Sequence, residues 1–372
     1  MSTENSIGAR AGASGEQMFG SGGSSRARTV LGLVGILVGF GFVVHLAQTI
    51  SFSGVPGTLA RVGILGILVM LIPYSIAATI DTELWRRLLS SNKHHLSFLK
   101  IFRIRTATEA LVITVPLGSI LSDPFKAWML KRQFGFPLST TAASIVYRKT
   151  MLGFSQGVVA WLVGFAAVMF PSFFASGGMG KGLDWTLFIF ASSVVLVYSI
   201  LLGLLCNRAF VDRFHSWLTR LPFRRLSIWF EKREPEFREF NEHLEGFRDL
   251  RSILRFASGY SLLWVTENIE TLAILALLGA NLTVPQALLM EVTCVLMRAS
   301  IPFVPGGLGI QDTGYVSMLM ASGNSGELAA AFVLLKRFRE ILWAAGGYLL
   351  MLSARRKNYS AEAQPLAVTA TE

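Results

Sequence analysis

Two stretches of this chain put ionisable side chains beside helix-breaking residues in otherwise apolar surroundings, at nearly the same spacing. In the first, Val115-Pro116-Leu117-Gly118 leads to Asp123 and then to the basic pair Arg148-Lys149. In the second, Val304-Pro305-Gly306-Gly307-Leu308-Gly309 leads through Gln311 to Asp312 and then to Lys336-Arg337. Pro116 and Pro305 stand 189 residues apart, as do Asp123 and Asp312, and Lys149 and Arg337 stand 188 apart. A charge at bilayer depth costs roughly 2.5–3.5 kcal/mol on insertion scales, so each needs a reason. Mutual pairing is one. The other is chemistry: basic groups beside the free N–H groups of a broken helix end make a receptor for phosphate oxygens, and the planar guanidinium binds them bidentately. Broken segments at matching positions in two halves are the sequence mark of a transporter-type site.

The charges fall into three clusters along the chain. Glu109, Asp123, Lys126, Arg148 and Lys149 form the first; Glu291, Arg298 and Asp312 the second; Lys336, Arg337, Arg339 and Glu340 the third. Lys336 and Glu340 are four residues apart, which predicts a shared helix face and an ion pair. Glu267 and Glu270 are one helical turn apart and are expected to answer Arg298, the alternative being a proton- or cation-sensitive pair. The candidate substrate-binding set is Asp123, Arg148, Lys149, Glu291, Arg298, Pro305, Gly306, Gly307, Gly309, Gln311, Asp312, Lys336, Arg337, Arg339 and Glu340. Gly306-Gly307-Leu308-Gly309 resembles a phosphate loop but lacks the Lys-Ser/Thr ending of a nucleotide site. Cys206 and Cys294 have no CxxC or Cys/His spacing, and the five His are scattered, so no metal and no cofactor is expected.

The elements that must hold these groups are membrane helices. Of 372 residues, 52% are hydrophobic and only 15% charged, against about 25% charged in a soluble domain. Apolar runs near the twenty-residue spanning length lie at about 30–48, 62–80, 141–170, 184–206, 255–279 and 328–352. Two more, about 104–132 and 286–323, are interrupted by the Pro/Gly/Asp motifs and read as re-entrant helical hairpins. Irregular backbone at membrane depth must be shielded by protein or line a cavity, so the motifs are interior. The expected fold is therefore an all-α polytopic membrane protein of two inverted repeats, with about six spanning helices and two re-entrant hairpins. Residues 1–25 read as a disordered cytoplasmic tail, 26–183 as the first membrane half, 184–352 as the second, and 353–372 as a cytoplasmic tail.

The net charge of +11 suggests nucleic acid only in a soluble protein; here it follows from basic cytoplasmic loops, and no nucleic-acid role is expected. Arg26, Arg28, the 86–105 segment, 207–255 and Arg355-Arg356-Lys357 fall on one side of the six-span arrangement, while loops 49–60, 171–183 and 279–285 contain only Lys181. Both termini are thereby assigned to the cytoplasm of a multi-pass inner-membrane protein. Within the connecting segment 207–254, Phe210, Phe214, Trp217 and Leu218 recur at helical spacing among Arg208, Arg213 and Arg220. That pattern reads either as a helix on the anionic inner leaflet or as a solvated connector.

Ile301-Pro302-Phe303-Val304-Pro305-Gly306-Gly307-Leu308-Gly309-Ile310-Gln311-Asp312, followed by Lys336-Arg337-Phe338-Arg339-Glu340, resembles the second signature of the family containing the transmembrane flippase domain of lysylphosphatidylglycerol synthases. Gly118 through Arg132, then Ala142-Ala143-Ser144, Lys149-Thr150 and Ser155-Gln156, are similar to the first signature, with Leu121-Ser122-Asp123 where relatives commonly carry Gly-Gly-Asp. Glu291, Arg298 and Arg339-Glu340 look most like the hopanoid-biosynthesis-associated branch. The resemblance covers about residues 30–352. It implies a flippase-like protein that translocates or handles a lipid or lipid-linked precursor, with membrane lipids and lipid-biosynthesis enzymes as partners. The soluble aminoacyl-transferase domain of the synthases has no counterpart here, so lysyl transfer is not expected. The alternatives are a membrane-embedded transferase using Asp123 or Asp312 as base, and a non-catalytic partner in a lipid (hopanoid) biosynthesis complex.

Overall fold

Long apolar runs leave the backbone no hydrogen-bond partner but itself, and helices follow. The computed structural model of the protein describes residues 54–89, 96–115, 117–174, 182–220, 222, 224–301 and 304–368. All regular structure among them is helical. The apolar run at 30–48 and the 1–25 tail lie outside the described residues.

The run expected at 62–80 is the core of α1 (Val55–Leu89), which departs from helical geometry at Gly63 (φ 60°) and carries Pro73 within it. The first interrupted segment is a helical hairpin, α2 (Phe98–Thr114) and α3 (Gly118–Phe134). The spans expected at 141–170 and 184–206 are α4 (Leu138–Met169) and α5 (Leu183–Cys206). Three short amphipathic helices then occupy the connecting segment: α6 (Arg208–Thr219), α7 (Arg224–Glu231) and α8 (Glu234–Glu245). The run at 255–279 is α9 (Leu250–Leu278). The second interrupted segment is again a hairpin, α10 (Val284–Ser300) and α11 (Ile310–Ala321), with a 3-10 turn at Pro305–Gly307 between them. The last run lies in α12 (Gly326–Val368). Among the described residues α1, α4, α5 and α9 are long and apolar enough to cross a membrane; α12 matches them in length but carries Lys336, Arg337, Arg339 and Glu340 mid-helix.

Packing couples the two parts of the chain. α1 lies along α9, α12 along α2, and α4 along both α5 and α9. Small residues allow the close approaches. Gly157 and Gly164 of α4 face the backbone of α5 near Val195 and Phe188, the way bilayer helices meet when no hydrophobic force separates helix from lipid. On α12, a Cβ at Gly347 would fall 2.9 Å from Ala110 Cβ and 2.5 Å from the Thr106 carbonyl oxygen of α2. Three buried clusters result. One joins α1, α3, α4, α8 and α9 around Trp85, Leu130, Tyr147 and Tyr260. A second joins α1, α9, α11 and α12 around Met70, Tyr315 and Phe332. The third seats α10 against α4 and α5.

The connecting helices are tied down on one side. On α8, His243 Nε2 lies 2.9 Å from the Leu88 carbonyl oxygen at the end of α1, and Glu239 accepts from Ser139 Oγ at 2.5 Å. Tyr147 of α4 donates to the Phe247 carbonyl oxygen at 3.0 Å.

Two outcomes are expected. Gly347→Val should cost about 1–3 kcal/mol by overpacking the α2–α12 contact, read from unfolding in detergent. Burial pushes the His243 imidazole below its ordinary pKa, so the unfolded chain binds the proton first on acidification. Stability should fall as pH drops below about 6.5, the ordinary histidine value. His243→Gln keeps a donor, and its unfolding should lose that component of the pH dependence.

Candidate functional site

The hairpin apices are built from backbone geometries that helices do not use. Val115 is extended (φ −107°, ψ 133°) and Leu117 is left-handed (φ 58°); Pro116 itself lies outside the described residues. At the second apex Gly306, Gly307 and Gly309 all have positive φ (54°, 65° and 80°), where a side chain would be strained. A Cβ at Gly307 would also collide with the side chain of Arg298. Glycine therefore lets that guanidinium stem lie against the apex.

Each apex is latched by the same chemistry. Asp123 of α3 pairs with Lys126 at 3.1 Å and with Lys149 of α4. Lys149 Nζ also donates to the Ser119 carbonyl oxygen at 2.9 Å. Asp312 of α11 pairs with Arg337 of α12 (Nη2 to Oδ1 2.8 Å) and its other oxygen accepts the Gly309 N–H at 2.8 Å, capping α11. Arg337 Nη1 donates to the Gly306 carbonyl oxygen at 3.1 Å and to Glu340 at 2.5 Å.

A second pair of latches recurs at the same offset. Asp81 of α1 accepts from Arg148 of α4 at 2.6 and 2.9 Å and from Arg105 at 3.0 Å. Glu270 of α9, which stands 189 residues after Asp81, accepts from Arg339 of α12 at 3.0 Å. Both carboxylates are essentially buried. Glu291 receives Lys336 at 3.0 and 3.1 Å, Thr271 Oγ1 at 2.6 Å and Tyr315 OH at 2.9 Å; Gln311 in turn donates to Tyr315 OH at 2.7 Å.

Several groupings by sequence are redrawn. Lys336 does not pair with Glu340, since the Glu291 carboxylate of α10 takes its ammonium from across the helix; Glu340 answers Arg337, Arg339 (3.7 Å) and Arg298 (3.8 Å) instead. Arg148 turns from Asp123 toward Asp81, and the first cluster splits in two. Glu270 pairs with Arg339 rather than Arg298. Asp81, Tyr74 and Tyr315 were not singled out from sequence, and Arg105, read there with the cytoplasmic loop charges, is instead buried in α2 against Asp81. The signal for Asp81 was its 189-residue separation from Glu270.

Between the latches lies a cavity of about 270 Å³. Both apices reach it, the first through Ile113 and Ser119 and the second through Val304, Gly306 and Gly307. Its charged lining comprises Arg105, Glu109, Glu267, Arg298, Arg339 and Glu340, with Tyr74, Gln156 and Trp264 completing the polar wall. The Tyr74 ring lies 4.2 Å from the Arg339 guanidinium and 5.7 Å from that of Arg105, so it bridges the arginines of α2 and α12. Glu109 and Glu267 make no hydrogen bond or ion pair among the described residues, and Arg298 reaches an acid only at 3.8 Å. Of the candidate set, Arg298, Gly306, Gly307, Arg339 and Glu340 line this space. Glu291, Gln311, Asp312, Lys336 and Arg337 line a smaller cavity of about 20 Å³ that shares Glu267, Arg298, Arg339 and Glu340 with it, and Asp123, Arg148, Lys149, Pro305 and Gly309 line neither. Among the described residues no group of His, Cys, Asp and Glu has the makings of a metal site.

The family profile described as "Lysylphosphatidylglycerol synthase TM region" matches residues 32–346. The chain belongs to that family. It is accordingly a membrane protein connected with lipid handling, and the profile spans every element that reaches the cavity. The match is to the family as a whole and distinguishes no branch within it. Comparison with curated proteins and with solved structures gives no match.

Asp81→Ala should strand Arg105 and Arg148 in a buried site and cost about 3–5 kcal/mol. Glu109→Gln, which breaks no pair, should leave the unfolding midpoint unchanged. Unfolding of the two variants in detergent measures the contrast.

Proposed function

We propose that the protein translocates a lipid or lipid-linked molecule, holding its polar headgroup in the cavity between the two broken hairpins. The observation that carries this reading is the sorting of charges. The buried ions of the latches are partnered, whereas Glu109, Glu267 and Arg298 face the cavity with no short ion pair. Such groups at bilayer depth are costly unless a ligand or water answers them. Acid and base together suit a headgroup with a phosphate and further polar groups, with Arg298 as the anion donor.

In this reading α1, α4, α5, α9 and α12 cross the bilayer, and the α2–α3 and α10–α11 hairpins dip into it from opposite faces. The recurrence of the carboxylate–cation latches supports an inverted repeat, and rocking of one half against the other would open the cavity alternately. The uneven loop charges favour a bacterial inner membrane with both termini in the cytoplasm.

The test is the leaflet accessibility of fluorescent lipids in proteoliposomes. Wild type is expected to speed redistribution above protein-free vesicles. Glu267→Gln and Arg298→Ala should each slow it roughly 10–100-fold, the loss of one charge-assisted contact of about 1.5–3 kcal/mol, while unfolding in detergent stays near wild type. No acceleration with any lipid of an anionic, zwitterionic and glycosylated panel, or full activity in both variants, would overturn the proposal.

A further inference from the structure

α5 leaves most of one side bare: Trp185, Ile189, Leu196 and Ile200 are all exposed. Its 24 residues reach about 36 Å at 1.5 Å per residue, enough to cross a hydrocarbon core of about 30 Å. A single residue, Asn207, separates its end from the start of α6, and its extended backbone (φ −89°, ψ 104°) breaks the helix there. α6 therefore starts at the level where the hydrocarbon ends.

Its two sides are unlike. Val211 is buried, His215 Nε2 lies 3.1 Å from the Phe230 carbonyl oxygen of α7, and its ring packs on Phe237 of α8 at 4.7 Å. On the other side Phe210, Phe214 and Trp217 recur turn by turn and stack, with ring centroids 6.1 and 5.9 Å apart. Phe214 is 44% and Trp217 58% exposed, and among the described residues their ring–ring contacts stay within this stripe. Arg213 and Arg220 flank this stripe on the helix surface, exposed and without an ion pair among the described residues. The neighbouring acids are engaged elsewhere, Asp212 with Asn241 and Glu245 with Arg208.

We propose that α6 is a docking foot for an anionic bilayer surface, seating its aromatic stripe at the acyl–headgroup boundary and its arginines on lipid phosphates. Aromatic rings favour that boundary, and cations there are drawn to anionic lipid. Continuity with the lipid-facing side of α5 decides for lipid over a soluble protein. The foot is independent of headgroup translocation through the cavity. A membrane poor in anionic lipid would release it while leaving the helical bundle intact.

The full-length protein, with Cys206→Ala and Cys294→Ala, can carry an environment-sensitive fluorophore on Phe214→Cys or, off the stripe, on Ser216→Cys. It is reconstituted in vesicles of phosphatidylcholine alone or with phosphatidylglycerol, and quenched by a lipid spin-labelled near its headgroup. The label at 214 should shift to the blue and be quenched in phosphatidylglycerol vesicles, and the label at 216 should not. Adding Arg213→Ala and Arg220→Ala should return the signal at 214 to its level in phosphatidylcholine. Hydrogen exchange of α6 in the unsubstituted protein should show greater protection in phosphatidylglycerol vesicles. A label at 214 that stays in water in both vesicles, or is quenched equally in both, overturns the proposal, as does exchange that ignores lipid charge.

Discussion

A charge inside a low-dielectric bundle must meet its opposite, and the architecture around the cavity follows from that requirement. These latches join separate helices: α1 to α2 and α4 through Asp81, α9 to α12 through Glu270, α10 to α12 through Glu291. The hairpins depend on it most. Beside their apices, the carbonyl oxygens of Ser119 and Gly306 accept from the cations that also hold Asp123 and Asp312. One cation thus answers a carboxylate and an irregular backbone at once, which permits a broken helix in an apolar bundle.

The same principle read in reverse locates the site. Against a background of paired ions, the few that face open space without a short ion pair mark where something else must supply the partner. Tyr74 sits at the centre of this arrangement, its ring between guanidiniums from α2 and α12. It contacts both like charges at once, giving each a cation–π partner.

Much of the fold was legible in the sequence because apolar runs of spanning length have few alternatives. α4, α5 and α9 agree with their expected bounds within five residues at each end. The hairpins were readable for a related reason, since Pro and Gly at 116, 305–307 and 309 have no place in a regular buried helix. The site was read less well. Partner choice among buried ions depends on which helix faces lie together, and sequence spacing reports only same-helix neighbours. Lys336 and Glu340 share a face, yet Lys336 meets Glu291 of α10, while Glu340 answers Arg337 and Arg339 of its own helix and, at 3.8 Å, Arg298 of α10. Asp81 falls just beyond the apolar run at 62–80, with no Pro/Gly motif beside it to mark it. Extending the repeat outward from the hairpins, to its counterpart Glu270, would have recovered it.

The crowding of Lys336, Arg337, Arg339 and Glu340 on α12 bears on how the chain is made. Four charges in a helix entering lipid weigh on the order of 10 kcal/mol against it on insertion scales. Their partners, Glu270, Glu291 and Asp312, all precede them in the chain and are synthesised first. The carboxylates therefore precede α12 as it leaves the ribosome. The charges of α12 thus meet acids already made, on protein rather than in lipid.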